Sequence, residues 1–203
     1  MSILARGTSL LFATHNAGKV EEARALVEPF GVRLISAADL GLPVPEETES
    51  SFEGNACLKA SAATALTGLP ALADDSGLCV DALDGDPGVR TADWAEVPGG
   101  RDFGVAMERT HAALMERRAL QPWTASFRCV LALSLPGKEC QVFAGRVDGV
   151  LVWPIRGVLG HGYDPMFCPE GETRTLAEMS LAEKNRISHR ARAFDRFIAR
   201  CFT

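Results

Sequence analysis

Apolar and polar positions along the chain alternate between short hydrophobic runs and amphipathic stretches. The run SLLFA, Ser9–Ala13, predicts a buried strand, and VRLIS, Val32–Ser36, predicts a second. Between them, from Val20 to Val27, apolar residues recur at the three- and four-residue steps of a helix. Strands and helices that alternate in this way predict the α/β class.

The middle of the chain continues the alternation. An Ala-rich stretch that begins at Ser50 and Ser51 predicts a helix capped by one of these two serines. The segment ALADDSGLCV, Ala71–Val80, predicts two strands separated by a Ser-Gly turn. A further helix is predicted over Arg101–Ala119.

The last third predicts a hairpin and one long helix. Two strand patterns, Ala125–Leu135 and Cys140–Trp153, are joined by Pro136-Gly137, and such a hairpin makes the sheet mixed rather than wholly parallel. The helix is predicted to begin at about Ser180, where Ser180 and Glu183 have the spacing of a capping box.

Composition narrows the classes of partner and compartment. The 203 residues are 47% hydrophobic and carry a net charge of -5, which argues against a nucleic-acid partner. No apolar stretch could span a membrane and no secretory signal is recognisable, so we expect a cytoplasmic protein without a membrane partner. The six cysteines are scattered singly, which predicts buried free thiols rather than a disulfide framework.

The segment THNAGK follows the first predicted strand and opens the first predicted helix. Unpaired N–H groups at a helix start suit a phosphate, with Thr14 and Asn16 as hydrogen-bonding groups and Lys19 as a cation. A simple capped turn with a solvated lysine explains the same residues.

Two acidic segments follow. The segment EET, Glu46–Thr48, lies in a predicted loop and offers carboxylate oxygens for Mg²⁺, and a solvated acidic loop explains the same pattern. In ADDSGL, successive strand residues face opposite sides, so Asp74 and Asp75 can serve different sites. The alternative is a turn that simply ends the strand.

Two later segments combine glycine, aromatic and basic residues. GHGYDPMF contains His161 and Tyr163, whose rings could contact a ligand or anchor a tight loop. EKNRISHR lies on the predicted last helix, where Lys184 and Arg190 could hold a polyanion or form a charged helix face.

The order of these segments resembles one family closely. T-x-N-x-x-K, EET, F-x-x-N-A-x-x-K-A, ADDSGL, P-G-V, G-Y-D-P and E-K-N-x-x-S-H-R follow one another from Leu10 to the last helix. This succession is similar to that of the inosine triphosphate pyrophosphatases, also called non-canonical purine NTP pyrophosphatases. The resemblance implies an α/β fold with a long mixed sheet and flanking helices, in which a single domain, 1–203, forms two lobes around a central active-site cleft.

The resemblance also implies an activity and a set of site residues. The expected reaction is Mg²⁺-dependent hydrolysis of ITP, dITP and XTP to the monophosphate and pyrophosphate by a homodimer, which cleanses the nucleotide pool. Asp75 would be the catalytic base, and Glu46 and Asp75 would bind the metal. The expected substrate-binding residues are Thr14, Asn16, Lys19, Ser76, His161, Gly162, Tyr163, Asp164, Lys184, His189 and Arg190.

Two positions depart from the family pattern. His161 stands where the family usually has Phe, and Arg90 follows P-G-V where Tyr is common. Both concern the choice of base rather than the metal and phosphate residues. Two other functions are compatible with the sequence: a house-cleaning pyrophosphatase for other modified nucleotides, and a nucleotide-binding module without catalytic activity.

Overall fold

A computed structural model describes residues 3–5 and 7–202 of the chain. The strands are β1 (Ser9–Phe12), β2 (Arg33–Ser36), β3 (Ala71–Val80), β4 (Glu96–Val97), β5 (Gly100–Arg101), β6 (Trp123–Ser134), β7 (Gln141–Leu151) and β8 (Phe167–Pro169). The α-helices are α1 (Ala17–Val27), α2 (Phe52–Thr67), α3 (Phe103–Glu116), α4 (Leu181–Ile187) and α5 (His189–Cys201).

Six of these strands form one sheet in the order β2-β1-β3-β6-β7-β8. Strand β1 runs parallel to both β2 and β3, whereas β8 is antiparallel to β7. The two long strands β6 and β7 are neighbours joined by residues 135–140. The predictions of an α/β fold and a mixed sheet are therefore confirmed.

The chain divides into two compact units. The first comprises the chain up to Asp75, Cys129–Gly145 and the residues from Arg190 onward. Its core contains buried side chains from the sheet and from α5, among them Leu10, Phe12 and Phe194. An apolar face of α2 is also buried in this unit, and Ser51 caps that helix by accepting a hydrogen bond from the Gly54 N–H.

The second unit comprises Ser76–Arg128 and Arg146–His189. Its core contains Leu78, Leu114, Phe127, Tyr163 and Phe167. Helix α3 begins after Asp102, whose carboxylate accepts a hydrogen bond from the Gly104 N–H at 2.8 Å. This aspartate replaces the lost intrahelical partner of the first turn, so the helix begins at Phe103 rather than at the predicted Arg101.

The structure corrects the predicted turn in ALADDSGLCV. Residues Ala71–Val80 form one continuous strand, and every side chain except that of Ser76 is buried. A turn would place backbone N–H and C=O groups away from their partners in the sheet, which is unfavourable in a buried segment. The local Ser-Gly signal for a turn is therefore overridden by burial on both faces.

The predicted C-terminal helix is two helices. The capping box of Ser180 and Glu183 is present at the start of α4. At Ser188 the backbone is extended, with φ −68° and ψ 157°, and α5 begins at the next residue. An extended serine is the usual start of a helix, so Ser188 ends one helix and precedes the next.

The cysteine prediction is confirmed at four positions and wrong at two. Cys79, Cys129, Cys168 and Cys201 are free and buried. Cys57 and Cys140 form a disulfide that joins positions 83 residues apart, with Cα atoms separated by 6.0 Å. Folding brings these residues together, and their distance in the sequence gave no signal for it. Within the described residues no helix is both long and apolar enough to cross a membrane.

Candidate active site

The THNAGK segment forms the connection from β1 to α1. The Asn16 side chain caps α1 by accepting a hydrogen bond from the Lys19 N–H at 3.1 Å. The Thr14 hydroxyl is buried and accepts from the Asn16 N–H at 3.2 Å. The capped turn considered in the sequence is therefore present, and it fixes the start of the helix without using the side-chain charge of Lys19.

Lys19 points its charge at Asp74. The Lys19 Nζ lies 2.9 Å from Asp74 Oδ2, and the guanidinium of Arg190 lies 3.5 Å from the same oxygen. Asp74 and Arg190 are each only 2% exposed. Burial alone would raise the pKa of Asp74, but Lys19, Arg190 and Lys59 outweigh burial and hold this pKa well below its ordinary value. Asp74 is consequently a permanently ionised anchor for two cations.

Asp75 has different partners. The Asn55 amide donates a hydrogen bond to Asp75 Oδ2 at 3.2 Å, and Lys59 Nζ lies 3.8 Å from Asp75 Oδ1. Burial raises the pKa of Asp75 to about 6, and the nearby carboxylate of Glu47 adds to the rise against the opposing effect of Lys59. Asp75 is therefore a carboxylate with incomplete charge compensation, the property expected of a proton acceptor.

Asn55 and Lys59 were assigned no role of their own from the sequence, and Glu47 was considered only as part of the EET segment. Asn55 and Lys59 are four residues apart on the buried face of α2, where most neighbours are alanine or another apolar residue. The Lys59 Nζ lies 2.5 Å from Glu47 Oε1, and neighbouring carboxylates raise the pKa of Lys59 despite its burial. A signal was present, because two polar residues at helical spacing on an apolar face are unusual without partners.

Glu46, the predicted metal ligand, is exposed in the loop before α2. Its neighbour Glu47 is the carboxylate that influences Asp75. Across residues 3–5 and 7–202, no three His, Cys, Asp or Glu side chains form a cluster able to hold a metal ion. Carboxylate oxygens nevertheless suit Mg²⁺, which commonly takes only one or two protein carboxylates.

In the second unit, a buried ion pair organises the GHGYDPMF segment. Lys184 Nζ lies 2.8 Å from Asp164 Oδ2, and both residues are only 2% exposed. The same oxygen accepts a hydrogen bond from the His161 N–H at 2.8 Å. Gly160 has a φ of +76°, and a Cβ there would clash with Asp164 Oδ2, so only glycine fits beside this carboxylate.

Aromatic contacts hold Tyr163 and His189 in this unit. Tyr163 is 1% exposed and packs edge-on against Phe103, with ring centroids 5.8 Å apart. Burial raises its pKa to about 12, so its hydroxyl stays protonated. His189 stacks on Phe127 at 4.8 Å. Gly162 has a φ of +69°, which a side chain would strain.

The first unit thus contains Thr14, Asn16, Lys19, Glu46, Asp75 and Arg190, and the second contains Ser76, His161, Gly162, Tyr163, Asp164, Lys184 and His189. Within the first unit, Lys19 and Arg190 meet through Asp74, and Asp75 is its neighbour on β3. Ser76 is the half-buried residue that follows Asp75. Within the second unit, His161, Asp164 and Lys184 are joined by hydrogen bonds.

The first unit combines features that suit a phosphate ester or anhydride. It has a capped helix start, cations at Lys19, Lys59 and Arg190, and one carboxylate with a raised pKa. Phosphoryl chemistry requires charge neutralisation and an oriented water more than covalent catalysis.

Comparison with protein families is decisive at this point, because the sequence profile of the Ham1 family matches residues 10–200. The chain belongs to the Ham1 family. The match covers the motifs on which the resemblance to inosine triphosphate pyrophosphatases was based.

Individual Ham1 relatives agree with this assignment. The chain is 58% identical over 196 residues to a dITP/XTP pyrophosphatase of Ruegeria pomeroyi, and the match covers 97% of this chain and 96% of that protein. A HAM1 protein from Coxiella burnetii superposes with a TM-score of 0.85 at 34% identity, over 95% of this chain and 97% of that one. A nucleoside-triphosphatase / dITP/XTP pyrophosphatase from Mycobacterium abscessus gives 0.71 at 38% identity, over 94% and 99%.

Proposed function

We propose that this Ham1 protein hydrolyses dITP, ITP and XTP between the α and β phosphates and releases the nucleoside monophosphate and pyrophosphate. The names of the relatives, dITP/XTP pyrophosphatase, support the substrate class. The observation that carries the proposal is the contrast between two adjacent carboxylates. The charge of Asp74 is neutralised by Lys19 and Arg190, whereas the pKa of Asp75 is raised to about 6.

Asp75 is proposed as the base that accepts a proton from the attacking water. A base functions best when its pKa lies close to the working pH, and in the metal-free protein the value of about 6 is closer to it than that of an ordinary aspartate. The Asn55 amide at Oδ2 and Lys59 near Oδ1 orient the carboxylate through its two oxygens. The attacking oxygen would form a bond to phosphorus as the bond to the bridging oxygen breaks and pyrophosphate leaves.

The triphosphate is proposed to lie at the start of α1. Thr14 and Asn16 are already used in fixing this turn, so Lys19 supplies the solvent-accessible positive charge. Its side chain is 19% exposed while it is paired with Asp74, so an incoming phosphate can reach the ammonium where Asp74 holds it. Arg190 is proposed to contribute positive potential from its buried position.

Mg²⁺ is the proposed cofactor, and Glu46 and Asp75 are its proposed ligands. The residues present fit the ion, because Asp75 carries a carboxylate whose negative charge is incompletely compensated and Glu47 adds a second charge nearby. When bound, Mg²⁺ would neutralise phosphate oxygens and lower the energy of the charged transition state.

Recognition of the base is proposed to rest on the second unit. His161, Gly162, Tyr163 and Asp164 form a rigid segment held by Lys184, and His189, the residue before Arg190, is held by Phe127. A site built to hydrogen-bond the 6-keto group leaves polar groups unpaired when a 6-amino purine enters, and this costs binding energy. Ser76 is proposed to contact the substrate next to Asp75.

The test is a panel of triphosphates assayed with Mg²⁺ for pyrophosphate release. We expect kcat/KM for dITP, ITP and XTP to exceed that for ATP, the 6-amino purine, by at least about 100-fold, the scale available to hydrogen-bond discrimination. Phosphorus NMR should show monophosphate and pyrophosphate, not diphosphate and orthophosphate. Equal rates on ATP and dITP would contradict the substrate assignment, and no release from any triphosphate would contradict the activity.

We further propose that the protein acts as a cytoplasmic homodimer. The cytoplasm contains the nucleotide pool on which such an enzyme would act, and the dimer follows from the family resemblance. Light scattering coupled to size exclusion should give twice the 21.7 kDa mass of the chain. Fractionation of the source cells should place the protein with cytoplasmic markers. A monomeric mass, or recovery with envelope fractions, would contradict the respective part of the proposal.

A further inference from the structure

Glu22 lies outside every residue set considered above, yet it is among the most buried carboxylates of the first unit. It lies on α1, three residues after Lys19, and is only 2% exposed. Glutamate is almost never fully buried without a partner, because removal of its charge from water is costly. Its partner is Arg190, whose Nη1 donates to Glu22 Oε2.

Arg190 connects Glu22 to Asp74. One guanidinium nitrogen faces Glu22, and the other lies 3.5 Å from Asp74 Oδ2. Asp74 in turn holds Lys19 at 2.9 Å. The four side chains form a series of alternating charges, from Glu22 through Arg190 and Asp74 to Lys19, which we call the ion series. It joins α1, α5 and β3, and its formal charges cancel.

Within the ion series, Asp74 is shared between Arg190 and Lys19. Arg190 has several N–H donors and would direct more of them at Asp74 if Glu22 did not hold one edge of the guanidinium. Asp74 would then turn toward Arg190 and hold Lys19 less firmly. Lys19 is the partly exposed member of the ion series. A change at the buried residue Glu22 would therefore alter the position of the Lys19 ammonium.

We propose that Glu22 is a positioning residue that acts through Arg190 and Asp74 to orient Lys19 toward the phosphates of the substrate. This inference rests on the proposed function, because it assigns Lys19 to phosphate binding. Glu22 itself touches no substrate. Its removal is expected to weaken binding of a polyphosphate and to leave the proton transfer at Asp75 nearly unchanged.

The experiment compares Glu22→Gln with Glu21→Gln in the full chain. The first substitution keeps the volume of the side chain and removes its charge, and Glu21 is the exposed neighbour on the same helix, which makes it the matched control. We expect E22Q to raise KM for dITP about tenfold with kcat within threefold, and E21Q to leave both unchanged. Thermal melting establishes that each variant is folded.

A second arm separates positioning from stability. In a Lys19→Met background, E22Q should raise KM no further, because the residue through which Glu22 acts is already gone. Glu22→Asp, which keeps the charge, should fold even if E22Q does not and should show a smaller rise in KM that also disappears with K19M. A rise in KM caused by E22Q or E22D that persists in the K19M background would overturn the inference. A lower melting temperature with unchanged KM would also overturn it.

Calorimetry with inorganic tripolyphosphate distinguishes this inference from the proposed function. E22Q should weaken tripolyphosphate binding about tenfold, and K19M should abolish the difference between the two proteins. Wild-type protein that binds tripolyphosphate in this Lys19-dependent way but does not hydrolyse dITP would contradict the proposed function and support the role of Glu22. Equal affinities of wild type and E22Q would overturn the role of Glu22 whatever the hydrolysis assay shows.

Discussion

Asp74 and Asp75 are consecutive residues of β3, and the alternation of the strand turns their carboxylates toward different surroundings. Asp74 lies between Lys19 and Arg190, and its pKa is held far below its ordinary value. Asp75 has Asn55 at hydrogen-bonding distance, Lys59 at 3.8 Å and the charge of Glu47 nearby, and its pKa rises to about 6. Similar burial therefore gives opposite shifts, and the balance of nearby charges decides the sign.

The comparison shows how one strand can carry a neutralised carboxylate beside one whose pKa is raised. Asp74 stabilises the fold through its ion pairs with Lys19 and Arg190, and these two cations already compensate its negative charge. Asp75 is less well compensated, so it retains affinity for a proton or a divalent cation.

Asp75→Asn should reduce turnover of dITP by about 10²- to 10⁴-fold, the usual contribution of a general base. The amide keeps the shape of the side chain and cannot accept the proton. The measurement is steady-state pyrophosphate release at saturating dITP and Mg²⁺. Glu53→Gln, an exposed change on α2, is the control and should leave turnover unchanged. Turnover of D75N within threefold of wild type would remove Asp75 from the mechanism.

Lys59→Met should destabilise the protein by roughly 2 to 4 kcal/mol, because it leaves two neighbouring carboxylates without their shared cation. The loss should shrink at pH 5, where Asp75 takes up a proton more readily. Urea unfolding at pH 8 and pH 5 measures both effects. Lys138→Met, at an exposed position in the turn between β6 and β7, should change stability by less than about 0.5 kcal/mol. A loss for K59M that is the same at both pH values would contradict the assigned charge balance.

His161→Phe should have the smallest effect, because it lies in the second unit and leaves both aspartates of β3 untouched. We expect a change of at most about tenfold in kcat/KM for dITP, the scale of one aromatic contact. A loss of turnover comparable to that of D75N would show that His161 serves the chemical step and not base recognition.

Sequence patterns predicted the elements where local signals and burial agree. The mixed sheet, the Asn16 cap and the capping box at Ser180 follow from apolar spacing and from the preferences of helix starts. The Ser-Gly turn in ALADDSGLCV was predicted wrongly, because burial on both faces of β3 overrides a local turn preference. The prediction of a single C-terminal helix was also wrong. The helical spacing of residues continues across Ser188, so the spacing gives no sign that the backbone is extended there.

The site was less predictable than the fold. Motif order singled out Lys19 and Asp75 as candidates, but the residues that balance their charges come from distant parts of the chain. Lys59 on α2 and Glu22 on α1 acquire their roles only when folding brings them to β3 and α5. The spacing of Asn55 and Lys59 on an apolar helix face indicates that they have buried partners, but it does not identify those partners. The pairing of Cys57 with Cys140 was missed for the same reason.

The most direct test of the difference between the two aspartates is the unfolding free energy of Asp74→Asn and Asp75→Asn, measured at pH 8 without divalent metal. The pKa of Asp74 is lower in the folded protein than the unfolded value of 3.8, so its charge stabilises the fold at any pH above 3.8. D74N should therefore lower the free energy of unfolding by roughly 3 kcal/mol. The pKa of Asp75 is raised to about 6 in the folded protein, so its charge destabilises the fold most fully above about pH 6. D75N should therefore raise the free energy of unfolding by roughly 1 to 3 kcal/mol, and this gain should vanish as the pH falls toward 3.8. Changes of the same sign in both variants at pH 8 would contradict the account.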